Sequence, residues 1–130
     1  MISTLLVLIL LLQIKHMFAD FYLQTGKMLA GRGEYLHWGR AQHAGVHAIG
    51  SLIALVLVGT PFWPLLVLIV VEWIIHFHID YWKGSYSDKK QLAPDQAAFW
   101  RAFGFDQFLH QLTYVAMIWT WAFWVLGKPL

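Results

Sequence analysis

The sequence predicts an all-α, polytopic membrane protein, an antiparallel bundle of four transmembrane helices forming one domain over residues 1–130. Three observations predict it. Hydrophobic residues make up 59% of the chain and charged residues only 12%, whereas soluble domains carry about 25% charged residues. Four apolar windows, 2–24, 40–59, 61–82 and 100–126, each approach the roughly 20 residues that a helix needs to cross hydrocarbon. The connections between them are too short for a soluble domain.

The first window begins with a short apolar run that a signal peptide would share. It lacks a basic leader and a small-residue cleavage site, and Lys15, His16 and Asp20 continue the same helical stretch, so it is expected to be a true span. Residues 26–39 contain Gly26, Gly31, Gly33 and Gly39, which predicts a flexible loop and a candidate lid. Thr60-Pro61 reads as an N-cap followed by proline at the first helical position, giving spans two and three a tight hairpin. Residues 84–94 read as a second loop, after which Asp95 is expected to cap an amphipathic lead-in to the fourth span.

Charge sets the expected orientation. Lys27, Arg32 and Arg40 flank the first connection and Lys83, Lys89, Lys90 and Arg101 the third, while Lys128 stands alone on the other side. Both longer loops are therefore expected in the cytoplasm, with the termini and the 59–64 turn outside. The net charge of +2 is then a topology signal, and no nucleic-acid partner is expected. Trp38, Trp82 and Trp100 fall at the expected inner interface and Trp63, Trp119, Trp121 and Trp124 at the outer one, as amphipathic rings prefer. Trp73, in mid-span, is expected in the core or facing lipid.

Each span also carries a pair of polar residues one helical turn apart: His16/Asp20, His43/His47, His76/Asp80 and Asp106/His110. Residues i and i+4 share a helix face, about 6 Å apart along the axis. Counted from the cytoplasmic ends, Asp20, His43, Asp80 and Asp106 lie about one turn in, and His16, His47, His76 and His110 one turn deeper. Ionisable groups in hydrocarbon are costly unless paired or ligated, so these eight residues are candidate metal ligands. The chain has no cysteine, which excludes thiolate ligation and disulfides. Five imidazoles and three carboxylates exceed one tetrahedral site and suit two divalent transition ions, zinc first, with iron and manganese compatible with the same donors. A metal-free His/Asp hydrogen-bond network would satisfy the same groups.

A third polar layer follows at the next turn: Gln13, Ser51, Glu72 and either Thr113 or Tyr114. Glu72 is expected to orient His76, because a ligating imidazole donates its other N–H to an acceptor; for the remainder, hydrogen bonding between helices is an equal explanation. Above the pairs, Lys27, Arg40 and Lys83, with Gln24 and Gln107, form a candidate substrate-binding mouth, although membrane anchoring is the somewhat better explanation of the basic residues. His78 faces away from His76 and is expected to pack at an interface; His37 is expected to be solvated.

The runs H-M-F-A-D-F-Y-L-Q-T-G-K, H-A-G-V-H, H-F-H-I-D-Y-W-K and F-D-Q-F-L-H resemble the family of small bacterial and phage membrane proteins called domain of unknown function 3307. The resemblance spans nearly the whole chain and implies a multi-pass protein of the bacterial inner membrane, without an activity. Function therefore rests on the candidate site. The leading expectation is a metal-dependent hydrolase acting on an anionic or phosphate-bearing amphiphile, with Asp20, Asp80, Asp106 and Glu72 as candidate catalytic groups. Metal-ion or proton transport is an alternative, but residues 5–9, 52–58 and 65–71 offer no polar path onward. A di-iron oxidoreductase, a bis-histidine haem and a structural metal site are further alternatives, and a homo-oligomer is compatible with the sequence.

Overall fold

Helix α1 (Ile2–Phe21) leads through a short α2 (Gly26–Leu29) to α3 (Trp38–Leu57), α4 (Phe62–Lys90) and α5 (Ala97–Leu126). The computed structural model describes residues 2–127, so Lys128, expected on the outer side, lies outside the described residues. Among the described residues the chain is all α, with no strand. The four long helices close into a ring in which α3 packs on α1 and α4, and α5 packs on the same two. Thus α1 faces α4 across one diagonal and α3 faces α5 across the other. One end of the bundle, here the basic end, carries the first connection with Lys27 and Arg32 and the end of α4 with Lys83, Lys89 and Lys90; the other carries the α3–α4 hairpin.

The hairpin turn departs in detail from its expected form. Gly59 adopts φ +73°, and the Thr60 N–H bonds to the Leu55 carbonyl at 3.0 Å, the left-handed closure that glycine permits without a Cβ penalty. Pro61, not Thr60, is the N-cap residue of α4. The Thr60 hydroxyl is committed elsewhere, accepting a 2.7 Å hydrogen bond from Trp121 Nε1. That bond also corrects the placing of Trp121, which is a buried core residue at 1% exposure rather than an interfacial anchor. Trp38, Trp63, Trp82, Trp100, Trp119 and Trp124 are exposed, and so is Trp73, whose Nε1 donates to the Ala41 carbonyl.

Helix α4 continues eight residues past its expected end at 82, so the second connection is only residues 91–96. Gly84 was expected to break the helix. A single interior glycine costs only about 1 kcal/mol, and here close packing requires it: a Cβ at Gly84 would stand 2.5 Å from the Arg32 carbonyl oxygen. Asp95 is not the cap of α5; that position is Gln96, whose side chain bonds back to the Ala93 N–H. At 29 residues α4 is about 43 Å long, so the basic end projects well beyond α1.

The first connection is a clamped segment, not a flexible one. Arg40 is buried, and its guanidinium donates to the carbonyls of Gly31, Arg32 and Tyr35 at 3.3, 2.6 and 2.7 Å. Gly39 lies directly against the Lys27 carbonyl, where any side chain would collide. His37 is half-buried against Gly31 and Gly39 rather than solvated. His78 is tied to Tyr35 Oη at 3.0 Å and to its own helix, away from the polar pairs.

Toward the hairpin end the interior is apolar: Leu8, Leu12, Leu55, Leu68, Met117 and Trp121 are buried together. The outside is apolar too, with Leu6, Leu10, Ile49, Ile53, Val115 and Phe123 all more than half exposed. Two helices, α1 and α4, are long and apolar enough to cross a membrane. Helices α3 and α5 are of similar or greater length, but their own His, Gln and Gly residues dilute their hydropathy.

Candidate metal centre

All eight paired residues meet between the four long helices, nearer the basic end. Their i, i+4 spacing turns each pair inward on one helix face, and ring closure then fixes which groups touch. Asp20 is approached by His47 at 2.8 Å, His43 at 3.2 Å and His16 at 3.4 Å. Asp80 is approached by His76 at 3.3 Å and by His43 and His110 at 3.6 Å. In all six contacts the imidazole atom is Nε2. Five Nε2 atoms thus converge on two carboxylates that stand on diagonally opposed helices, with His43 between them.

Donor atoms of Asp20, His43, His47 and His76 lie within 4.8 Å of one another, and so do those of His76, Asp80 and His110. The two groups share His76, whose Nε2 is 3.4 Å from that of His110. His16 and Asp106 stand beside these groups. His16 Nε2 is 2.8 Å from Gln107 Oε1; the Asp106 carboxylate is 3.8 Å from His110 Nδ1 and 4.0 Å from Lys83 Nζ. Asp106 Oδ1 is buried with no hydrogen-bond partner among the described residues.

The outward nitrogens of three rings are also held. His110 Nδ1 donates to the Asp106 backbone carbonyl at 2.8 Å. Tyr114 Oη serves two rings at once, 2.9 Å from His16 Nδ1 and 3.4 Å from His47 Nδ1. His47 Nδ1 additionally faces Lys15 Nζ at 3.3 Å. Fixing the far nitrogen in this way aims the near one.

Glu72 does not orient His76; its carboxylate is taken by Lys15 in an ion pair whose side chains are 1% and 7% exposed. Lys15 also donates to the His47 carbonyl at 3.3 Å and lies over the Tyr114 ring. The stem of Lys15 passes Gly50, where a Cβ would come within 3.0 Å of it. In sequence, Lys15 reads only as a charge stranded in an apolar span. The available signal was that Glu72 is the one acidic residue in the apolar half of the third window, and two buried opposite charges at similar depth call for each other. Of the rest of the third layer, Gln13 bonds Gln111 of α5 between helices, Thr113 bonds its own helix at Leu109, and the buried Ser51 hydroxyl has no partner among the described residues.

A cavity of about 220 Å³ opens on the basic-end side of this layer. Asp20, Asp80, Asp106 and His43 form its floor, Phe21, Phe99 and Phe103 line one wall, and Arg32, Arg40 and Lys83 stand around it. Gln24 and Gln107 line it as well; Gln107 Nε2 bonds Asp20 at 3.2 Å. Lys27 and Glu72 do not line it. Arg40 reaches it, but its guanidinium is spent on loop carbonyls. Arg32, assigned only to topology by its charge, is the additional basic residue at the cavity.

The chain belongs to the family described as Protein of unknown function (DUF3307), whose model matches residues 7–128. No curated protein and no solved structure matches it significantly.

Proposed function

We propose that the chain is a four-span membrane protein of the bacterial inner membrane that holds two divalent transition-metal ions, zinc first, and hydrolyses an anionic, phosphate-bearing amphiphile from the cytoplasmic side. The convergence of five Nε2 atoms on two aspartates carries the metal reading. Neutral imidazoles aimed by their outer nitrogens and paired with carboxylates are the donor chemistry that zinc, iron and manganese accept. The fit is supported by the buried Asp106 oxygen without a partner, since such an atom is costly unless something answers it. His43, His47, His76, His110, Asp20 and Asp80 would hold the ions, with His16 and Asp106 at the margins.

The membrane reading rests on the exposed apolar girdle around an interior whose basic-end half is polar. With Trp38, Trp82 and Trp100 at the basic end and Trp63, Trp119 and Trp124 at the other, the positive-inside rule puts the cavity at the cytoplasmic face.

Divalent ions here would supply Lewis-acid polarisation of the phosphoryl group and lower the pKa of a water. The protein's own part is to seat the anion at the cavity and take the proton of the attacking water. Asp106, on the cavity floor beside Lys83, is the group placed to take it. Glu72, away from the cavity lining, instead holds the Lys15 ammonium that faces His47. Transport is disfavoured by the plug of Leu8, Leu12, Leu55, Leu68 and Trp121 beyond the Lys15–Glu72 pair.

Metal analysis of the protein purified under metal-replete conditions tests this. About two ions per chain are expected, falling in Asp20→Asn and Asp80→Asn, together with metal-dependent release of phosphate from alkyl phosphates. Less than one transition-metal ion per chain would overturn it.

A further inference from the structure

We propose that Arg32 seats a dianionic phosphate head group at this cavity, with Lys83 as the second cation and the Phe21/Phe99/Phe103 wall taking the apolar chain, so that the ligand is a phosphate monoester of an apolar alcohol. The proposal deepens the metal-hydrolase reading and rests on it.

Arg32 differs from the other basic residues of the first connection in how its parts are used. Its backbone is fixed: Arg40 holds its carbonyl at 2.6 Å, and Gly84 of α4 lies against that same carbonyl. Its guanidinium is little used. Among the described residues its side chain makes one hydrogen bond, a long one of 3.4 Å to Gln24 Oε1. Gln24 in turn sits 3.4 Å from His43 Nε2. A neutral amide therefore occupies the space between a guanidinium and the imidazole that bridges Asp20 and Asp80, touching both at the limit of hydrogen bonding. Loose contacts of this kind tighten when a charged ligand takes the amide's place. A planar guanidinium on a fixed backbone matches a phosphate edge with two parallel bonds.

Charge supports the same ligand. Three carboxylates and three basic side chains line the cavity and cancel, so divalent ions at the imidazoles would leave a positive surplus that a dianion answers. The surplus requires the ions, which makes anion binding metal-dependent. Lys83 Nζ lies over the Phe103 ring, 5.3 Å from its centroid, which puts the cationic and apolar walls in contact and places a head group and its chain side by side.

The test is calorimetric titration of the zinc-loaded full chain in detergent with inorganic phosphate and with hexylphosphonate, a non-hydrolysable analogue, zinc content being measured on every sample. Wild type should bind hexylphosphonate more tightly than phosphate, and neither without zinc. Arg32→Ala should weaken both by roughly tenfold or more, the loss expected for a charged bond, and Arg32→Lys should recover only part of it. Phe103→Ala should weaken hexylphosphonate alone. With zinc content intact, unchanged binding of both ligands by Arg32→Ala would overturn the assignment of Arg32. Equal affinity of wild type for the two ligands would overturn the apolar chain and leave free phosphate as the ligand. A wild-type chain that takes up neither zinc, iron nor manganese would overturn the metal reading and this inference with it.

Discussion

Replacing Lys15 with methionine tests the buried ion pair beneath the imidazole cluster. Methionine keeps most of the stem that lies along Gly50 and removes the ammonium, which bonds Glu72 and donates to the His47 carbonyl. The single variant leaves Glu72 almost fully buried with neither oxygen paired, since Oε2 already has no partner among the described residues. Breaking a buried pair from one side costs about 3–5 kcal/mol. At about 4 °C per kcal/mol for a chain of this size, the melting midpoint in detergent should fall by at least about 12 °C. Removing both partners in Lys15→Met/Glu72→Met takes the stranded charge away as well, so the double variant should recover most of the loss, because a buried pair and an apolar replacement of similar volume are close in stability. The coupling between the two sites should exceed about 2 kcal/mol, within the range for contacting residues. Thermal unfolding of the four proteins, all stripped of metal, measures it. Additive effects, or a single variant as stable as wild type, would refute the pairing and with it the account of what closes the site from below.

Two further outcomes follow from the same geometry. Tyr114→Phe removes the one hydroxyl that serves both His16 and His47 while keeping the ring in the core, so zinc affinity measured by chelator competition should fall by about 10- to 100-fold; an unchanged affinity would show that those rings are aimed by something else. In a chain that has no cysteine, an impermeant maleimide added to intact cells should label Pro61→Cys but label Glu34→Cys only after lysis, and the opposite pattern would overturn the orientation.

What was legible in the sequence was whatever repeats with the helical period. The four one-turn pairs and the four long helices follow from spacing and hydropathy alone, because an α-helix places i and i+4 on one face whatever its surroundings. Three things were not legible, each for its own reason. Helix α4 runs through Gly84 because the Arg32 backbone packs there, and a close approach from 52 positions away leaves no local mark. The glycines of the first connection suggested mobility, yet Gly39 is required by contact with the Lys27 carbonyl, and Arg40 ties the segment down from inside the helix that follows. Nor can spacing say which imidazole nitrogen points inward. That choice is a matter of side-chain torsion and of partners such as Tyr114 and the Asp106 carbonyl, both contributed by α5.

The division of the bundle also bears on whether the proposed ions would be catalytic or purely structural. A site built only to lock helices gains from closure on every side, as four-coordinate structural zinc sites do. Here the closure is one-sided. Beneath the imidazoles, the Lys15–Glu72 pair and the Leu8, Leu12, Leu55 and Trp121 core leave no polar continuation. Above them, Asp20, Asp80, Asp106 and His43 face a cavity of about 220 Å³. Two additions line the cavity beyond the end of α1: Lys83, the first residue of α4 past its expected end, and the clamped first connection with Gln24, Met28 and Arg32. Lys83 and Arg32, the basic residues with guanidinium or ammonium left to offer, stand on those two additions. A bundle that needed ions only for stability would have no use for either, whereas one that must admit an anion, hold it against the carboxylate floor and keep its apolar chain out of water needs both.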